Sequence, residues 1–101
     1  MLISVTRTGG FAGLSETLIR ADTETLNTQV AASLRDMVRA MDFFSLPSRV
    51  GAEQMGADLF IYEVTVTDGE QSHTVAFADA RTPENAPLHD LLGALGGGGP
   101  Q

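Results

Sequence analysis

Apolar and polar residues alternate from the start of the chain. Ile3 and Val5 are apolar, Ser4 and Thr6 polar, the two-residue period of a half-buried strand over Leu2 to Arg7. The pattern breaks at Thr8-Gly9-Gly10-Phe11-Ala12-Gly13, where closely spaced glycines admit backbone conformations closed to other residues. Strand character resumes over Leu14 to Ala21, with Leu14 and Leu18 expected on one face and Thr17 and Ile19 toward the other. The glycine-rich segment therefore reads as the loop of a β-hairpin.

Between Thr28 and Asp42 the period becomes helical. Val30, Leu34, Met37, Val38 and Met41 form one apolar stripe, and Arg35, Asp36 and Arg39 fall off it. Asn27 or Thr28 can cap the start by accepting from an otherwise orphaned N–H. Pro47 marks the stop, and Phe43, Phe44 and Leu46 are expected to tuck beneath the helix end as core plugs. Residues Ser48 to Asp58 show no period and read as the longest irregular stretch.

Alternation returns most clearly over Leu59 to Thr67, with Phe60, Tyr62, Val64 and Val66 on one face. Asp68-Gly69 predicts a type I′ turn into a strand from Gln71 to Ala78, whose His73, Val75 and Phe77 share a face. Thr82 to Pro87 reads as a capping region ahead of a short helix carrying Leu88, Leu91, Leu92 and Leu95. The element order is thus ββαββα. It implies a single α+β domain over residues 1–95, a four-stranded antiparallel sheet with both helices on one face. Residues 96–101, glycine-rich with nothing to bury, are expected to form a disordered tail.

Composition narrows the function classes. The chain has 101 residues and a net charge of −7, and all six basic residues are Arg. Phosphate contacts need basic side chains, so nucleic acid and anionic membrane surfaces are disfavoured partners. Cysteine is absent, which removes disulfides, thiolate metal sites and Cys nucleophiles. The opening residues lack the basic and apolar regions of a secretory signal, and no apolar run approaches the length of a membrane span. A cytoplasmic protein is the resulting expectation.

No catalytic constellation stands out. His73, expected near a hairpin end, and His89, expected on the exposed side of the last helix, lie far apart without metal-ligand spacing, so neither a metal site nor a cofactor is expected. There is no G-x-S-x-G elbow, and Gly9-Gly10-x-x-Gly13 lacks the Lys-Ser/Thr of a phosphate loop. The acids scatter as a solvated surface does, and the chain reads as a non-enzyme.

Phe11 is the unusual residue, because hairpin loops normally carry small or polar side chains. Two readings of it stand. It is a presented anchor that fills a partner's pocket while Gly9, Gly10, Ala12 and Gly13 let the backbones approach, or it folds back to plug the sheet end. The Ser48–Asp58 segment likewise reads as a plain connector or as a second binding lip. As a lip, Glu53 or Asp58 offers a carboxylate and Met55 an adaptable apolar contact.

The run Val5-Thr6-Arg7-Thr8-Gly9-Gly10-Phe11-Ala12-Gly13 resembles the "R-[ST]-GGFAG" opening of the emfourin proteins. Phe43-Phe44-Ser45-Leu46-Pro47 is similar to that family's "FF-x-L" helix exit, and Asp58-Leu59-Phe60-Ile61-Tyr62-Glu63-Val64 to its "D-x-F-x-Y-x-[IV]" strand. Val75-Ala76-Phe77, Pro87-Leu88 and Leu91-Leu92 are similar to its closing strand and helix. Ala57 departs from the pattern, standing where many members have Pro. The resemblance implies a bacterial, stoichiometric, non-catalytic inhibitor of thermolysin-like (M4) zinc metallopeptidases of the protealysin type. The zinc would belong to the peptidase. The Gly9–Gly13 loop would enter the cleft with Phe11 at its hydrophobic pocket, and Glu16 or Glu53 would approach the zinc or its basic neighbours. The competing expectation is a cystatin-like or similar sheet-presenting module with another protein partner. A monomer or weak homodimer is expected, since an open sheet face or edge can pair.

Overall fold

A computed structural model describes residues 1–9, 14–50, 60–80 and 82–97. Strands β1 (Leu2–Gly9) and β2 (Leu14–Asp22) are antiparallel and lead into helix α1 (Thr28–Ala40). A 3₁₀ turn at Phe43–Ser45 and a short β3 (Arg49–Val50) follow. Strands β4 (Phe60–Asp68) and β5 (Gln71–Ala78) form a second hairpin, and helix α2 (Ala86–Gly97) closes the order. The sheet order is β2-β1-β4-β5-β3.

The α+β class and the two helices match the sequence pattern, but the sheet does not. It has five strands and is mixed, because β3 pairs parallel to β5 through Arg49↔Ala76 and Val50↔Phe77. The Ala76 N–H also donates to the Ser48 carbonyl at 2.8 Å. Two residues are too few to show alternation, so β3 lies inside the stretch that reads as irregular. Its pairing is set by burial of Val50 against the core and by the unpaired edge of β5.

One face of the sheet is covered. Ile3 and Val5 of β1, Val64 and Val66 of β4, and Val75 and Phe77 of β5 are buried together with Leu34 and Val38 of α1 and Leu88 and Leu91 of α2. Phe43 joins this core, with Phe44 and Leu46 packed against it, as the plug reading expects. Phe43 and Phe44 meet edge to face at 5.9 Å. Asn27 is the cap of α1, its Oδ1 accepting from the Gln29 N–H at 2.8 Å.

Four local expectations are corrected. Leu18 takes no regular place on a strand face: the register steps from Val5↔Ile19 to Thr6↔Thr17, leaving Leu18 as the extra residue of a β-bulge. The bulge turns Ile19 to the core and leaves Leu18 exposed. In α1 the small Ala31 takes the buried position and Val30 is exposed beside a groove lined by Ala21, Leu26, Leu34, Ala94 and Leu95. The β4–β5 turn is not type I′. Gly69 occupies the first central position with φ +64° and Glu70 is not left-handed, which is the requirement of type II′. Finally, His89 is not on an exposed helix side, as its ring packs edge to face on Phe77 at 5.1 Å.

Candidate functional site

Strand direction decides where the loops emerge. Gly9 ends β1 and lies opposite both Leu14, which begins β2, and Phe60, which begins β4. Val50 ends β3 beside Phe77, and β5 ends one residue further at Ala78, opposite Ile61. All five strands thus have a terminus at one end of the sheet. The segment 10–13 spans Gly9 to Leu14, and the segment 51–59 leads into Phe60. Two segments far apart in sequence are anchored on a single backbone pair, Gly9↔Phe60.

Of the sequence-predicted site residues, Gly9 is placed at this end. Gly10, Phe11, Ala12, Gly13, Glu53 and Met55 lie outside the described residues, as does Asp58. The backbone of Glu16 is in β2 opposite Arg7.

The anchor pair is held on both sides. Phe60 faces Gly9 across the β1–β4 ladder, and the Phe60 carbonyl accepts from the Asp79 N–H at 3.0 Å.

Two different surfaces flank this end. On the helix-covered face, Phe60 continues the row of Tyr62, Val64 and Val66. The His89 ring covers Tyr62 at 6.2 Å and Phe77, and Phe60 remains 40% exposed. The Arg7 guanidinium lies over the Phe60 ring at 4.6 Å from its centroid. On the open face, Thr8, Ile61, Glu63, Thr74, Ala76, Ser48 and Arg49 line a polar groove of about 480 Å³. Thr6 Oγ1 donates to Glu63 at 3.5 Å, a long contact that leaves Glu63 exposed.

The loop after β5 is pinned by side chains. Asn85, 1% exposed, donates through Nδ2 to the Ala80 carbonyl at 3.0 Å and the Ala78 carbonyl at 3.4 Å. His89 Nε2 also donates to the Ala78 carbonyl, at 3.1 Å. His73 is used the same way further along, its Nε2 donating to the Leu46 carbonyl at 2.7 Å while the ring packs on Phe43. Both histidines therefore serve the fold. Among the described residues no group of three or more His, Asp or Glu is placed to hold a metal ion. No helix among them is long and apolar enough to cross a membrane.

Sequence reasoning missed Arg7 and Phe60 as surface residues. Alternation assigns Phe60 to the core row, and period alone does not tell which end of a row stays exposed. The usable signal was position: both residues adjoin aperiodic segments.

The family model named Emfourin matches residues 5–95, nearly the whole chain. No curated protein and no solved structure gives a match.

Proposed function

The chain belongs to the Emfourin family, and from that premise we propose that it is a proteinaceous inhibitor of a thermolysin-like (M4, protealysin-type) zinc metallopeptidase. It acts by stoichiometric occlusion of the active-site cleft and makes or breaks no bond itself. The family match over residues 5–95 carries this reading.

The geometry is consistent with occlusion. The glycine-rich segment and the segment 51–59 leave a common backbone pair at one narrow end of a five-stranded sheet. A rigid base lowers the ordering cost of docking, which is how a small inhibitor obtains affinity from few residues. Phe11 would occupy the hydrophobic pocket beside the scissile bond, with Gly9, Gly10, Ala12 and Gly13 permitting close backbone approach. Glu53 and Met55 would contribute from the second segment. Catalytic zinc would be supplied by the peptidase alone, and a cytoplasmic location fits a partner made in the same compartment.

The test is a titration of the purified chain against a panel of zinc and non-zinc peptidases. One-to-one tight blockage confined to the thermolysin-like members is expected. Undiminished proteolysis by every such member would remove the reading in favour of a sheet-presenting module with a different protein partner.

A further inference from the structure

We propose that Phe60 is a peptidase-contacting residue that fills an apolar pocket on the enzyme, with Arg7 as the positioning residue that holds its ring. The inference rests on the inhibitor reading above and adds a named contact to it.

Three large apolar residues are exposed among the described residues: Leu18, Val30 and Phe60. Leu18 is the bulge residue midway along β2, and Val30 lies on α1 three residues past its Asn27 cap. Phe60 alone stands at the end of the sheet where the two candidate loops begin. A partner that engages the chain beside Gly9 comes close to Phe60, because Gly9 and Phe60 are opposite one another in the ladder.

The residue is built as a pre-set contact. Its backbone lies in β4 between neighbouring strands, opposite Gly9 of β1, and its carbonyl accepts from the Asp79 N–H. Its ring is steadied by the guanidinium 4.6 Å away, so little rotamer freedom remains to be lost on docking. Aromatic side chains in such positions dominate interface energetics, since they bury a large apolar area through few torsions. Strand alternation directs Phe60 to the face where Val64 and Val66 are buried and Tyr62 partly so, yet Phe60 itself is 40% exposed with the Arg7 guanidinium over its ring. That leaves an apolar row with an exposed end, which a partner's apolar pocket completes.

The experiment measures inhibition of the thermolysin-like peptidase blocked by the wild-type chain, alongside Phe60→Ala, Phe60→Leu, Arg7→Met and the Phe60→Ala/Arg7→Met pair. Thermal unfolding of each variant is recorded. Phe60→Ala is expected to weaken inhibition about 30-fold or more, the range of a buried hot spot. Phe60→Leu should restore most of that loss. Arg7→Met should weaken inhibition about 2- to 5-fold, the scale of an exposed cation–π contact, and should add nothing once Phe60 is Ala. An additive Arg7 effect would overturn the positioning role. Unchanged inhibition by a folded Phe60→Ala would overturn the contact, even if that variant lost self-association. A wild-type chain that blocks no thermolysin-like enzyme would overturn the inhibitor reading and this contact with it.

Discussion

Thr82 and Asn85 bond each other in both directions: the Thr82 N–H donates to Asn85 Oδ1 at 2.7 Å, and the Asn85 N–H donates to Thr82 Oγ1 at 3.2 Å. This reciprocal pair fixes the turn ahead of α2, and the buried Asn85 amide also donates to the carbonyls of Ala78, the last residue of β5, and Ala80. Asn85→Ala would strip partners from the Thr82 N–H and the Ala80 carbonyl. The expected loss is about 2–3 kcal/mol, read as a lower midpoint in urea.

Asn85→Asp provides a pH-dependent version of the same test. A carboxylate there would face the Ala78 and Ala80 carbonyls in a buried site, so its folded pKa would rise above the unfolded value of about 3.9. The sign follows from linkage. A raised folded pKa favours folding below the unfolded pKa, where the acid is neutral and can donate, and that stability is lost as pH rises through the folded pKa. Relative to wild type at each pH, the variant should be least impaired below about pH 4 and progressively worse toward neutrality. Paired urea midpoints across that window check the slope, and a pH-independent deficit would contradict it.

Gly69 isolates a purely conformational cost. Its φ is +64°, and a Cβ built on it meets nothing within 4 Å. Gly69→Ala should therefore lose about 1–2 kcal/mol from backbone strain alone, without any clash. Thermal unfolding measures the loss, and the hairpin amides of β4 and β5 should show the earliest gain in hydrogen exchange.

Asp42 carries the opposite opportunity. It follows the α1 C-cap with φ 53°, a left-handed position where glycine is usual. Its side chain makes no capping bond, while its carbonyl accepts from the Ser45 N–H at 2.9 Å. Asp42→Gly should stabilise the protein by about 0.5 kcal/mol, the strain relief exceeding the added freedom of the unfolded chain. Asp42→Ala should destabilise it, and the two together separate backbone strain from loss of charge.

Much of this fold was legible because burial follows period. The alternations around Val5, Val64 and Val75, and the helical stripe through Leu34 and Val38, each lead to the observed core. Illegible features had causes that period does not encode. The bulge at Leu18 depends on pairing with β1, β3 is too short to alternate, and Val30 gives way to Ala31 at the buried position of α1. His89 was misplaced because its Nε2 bond to the Ala78 carbonyl is a tertiary contact. At the candidate site, the glycine-rich segment was visible as a break in period. Its convergence with the segment before Phe60 required the strand order.

The two readings of Phe11 differ in what its removal should do. An anchor lies in the partner's pocket, so Phe11→Ala should weaken inhibition of a thermolysin-like peptidase by about 2–4 kcal/mol, or 30- to 1,000-fold. The melting temperature of that variant should then match wild type, because a side chain reserved for the partner's pocket contributes no folding contact. A plug instead contributes to folding. Phe11→Ala would then lower the melting temperature and weaken inhibition only in proportion to the unfolded fraction. Recording both quantities on one preparation separates the outcomes, and a variant unchanged in both would dismiss either role and leave the segment 51–59 and Phe60 as the contacts to test.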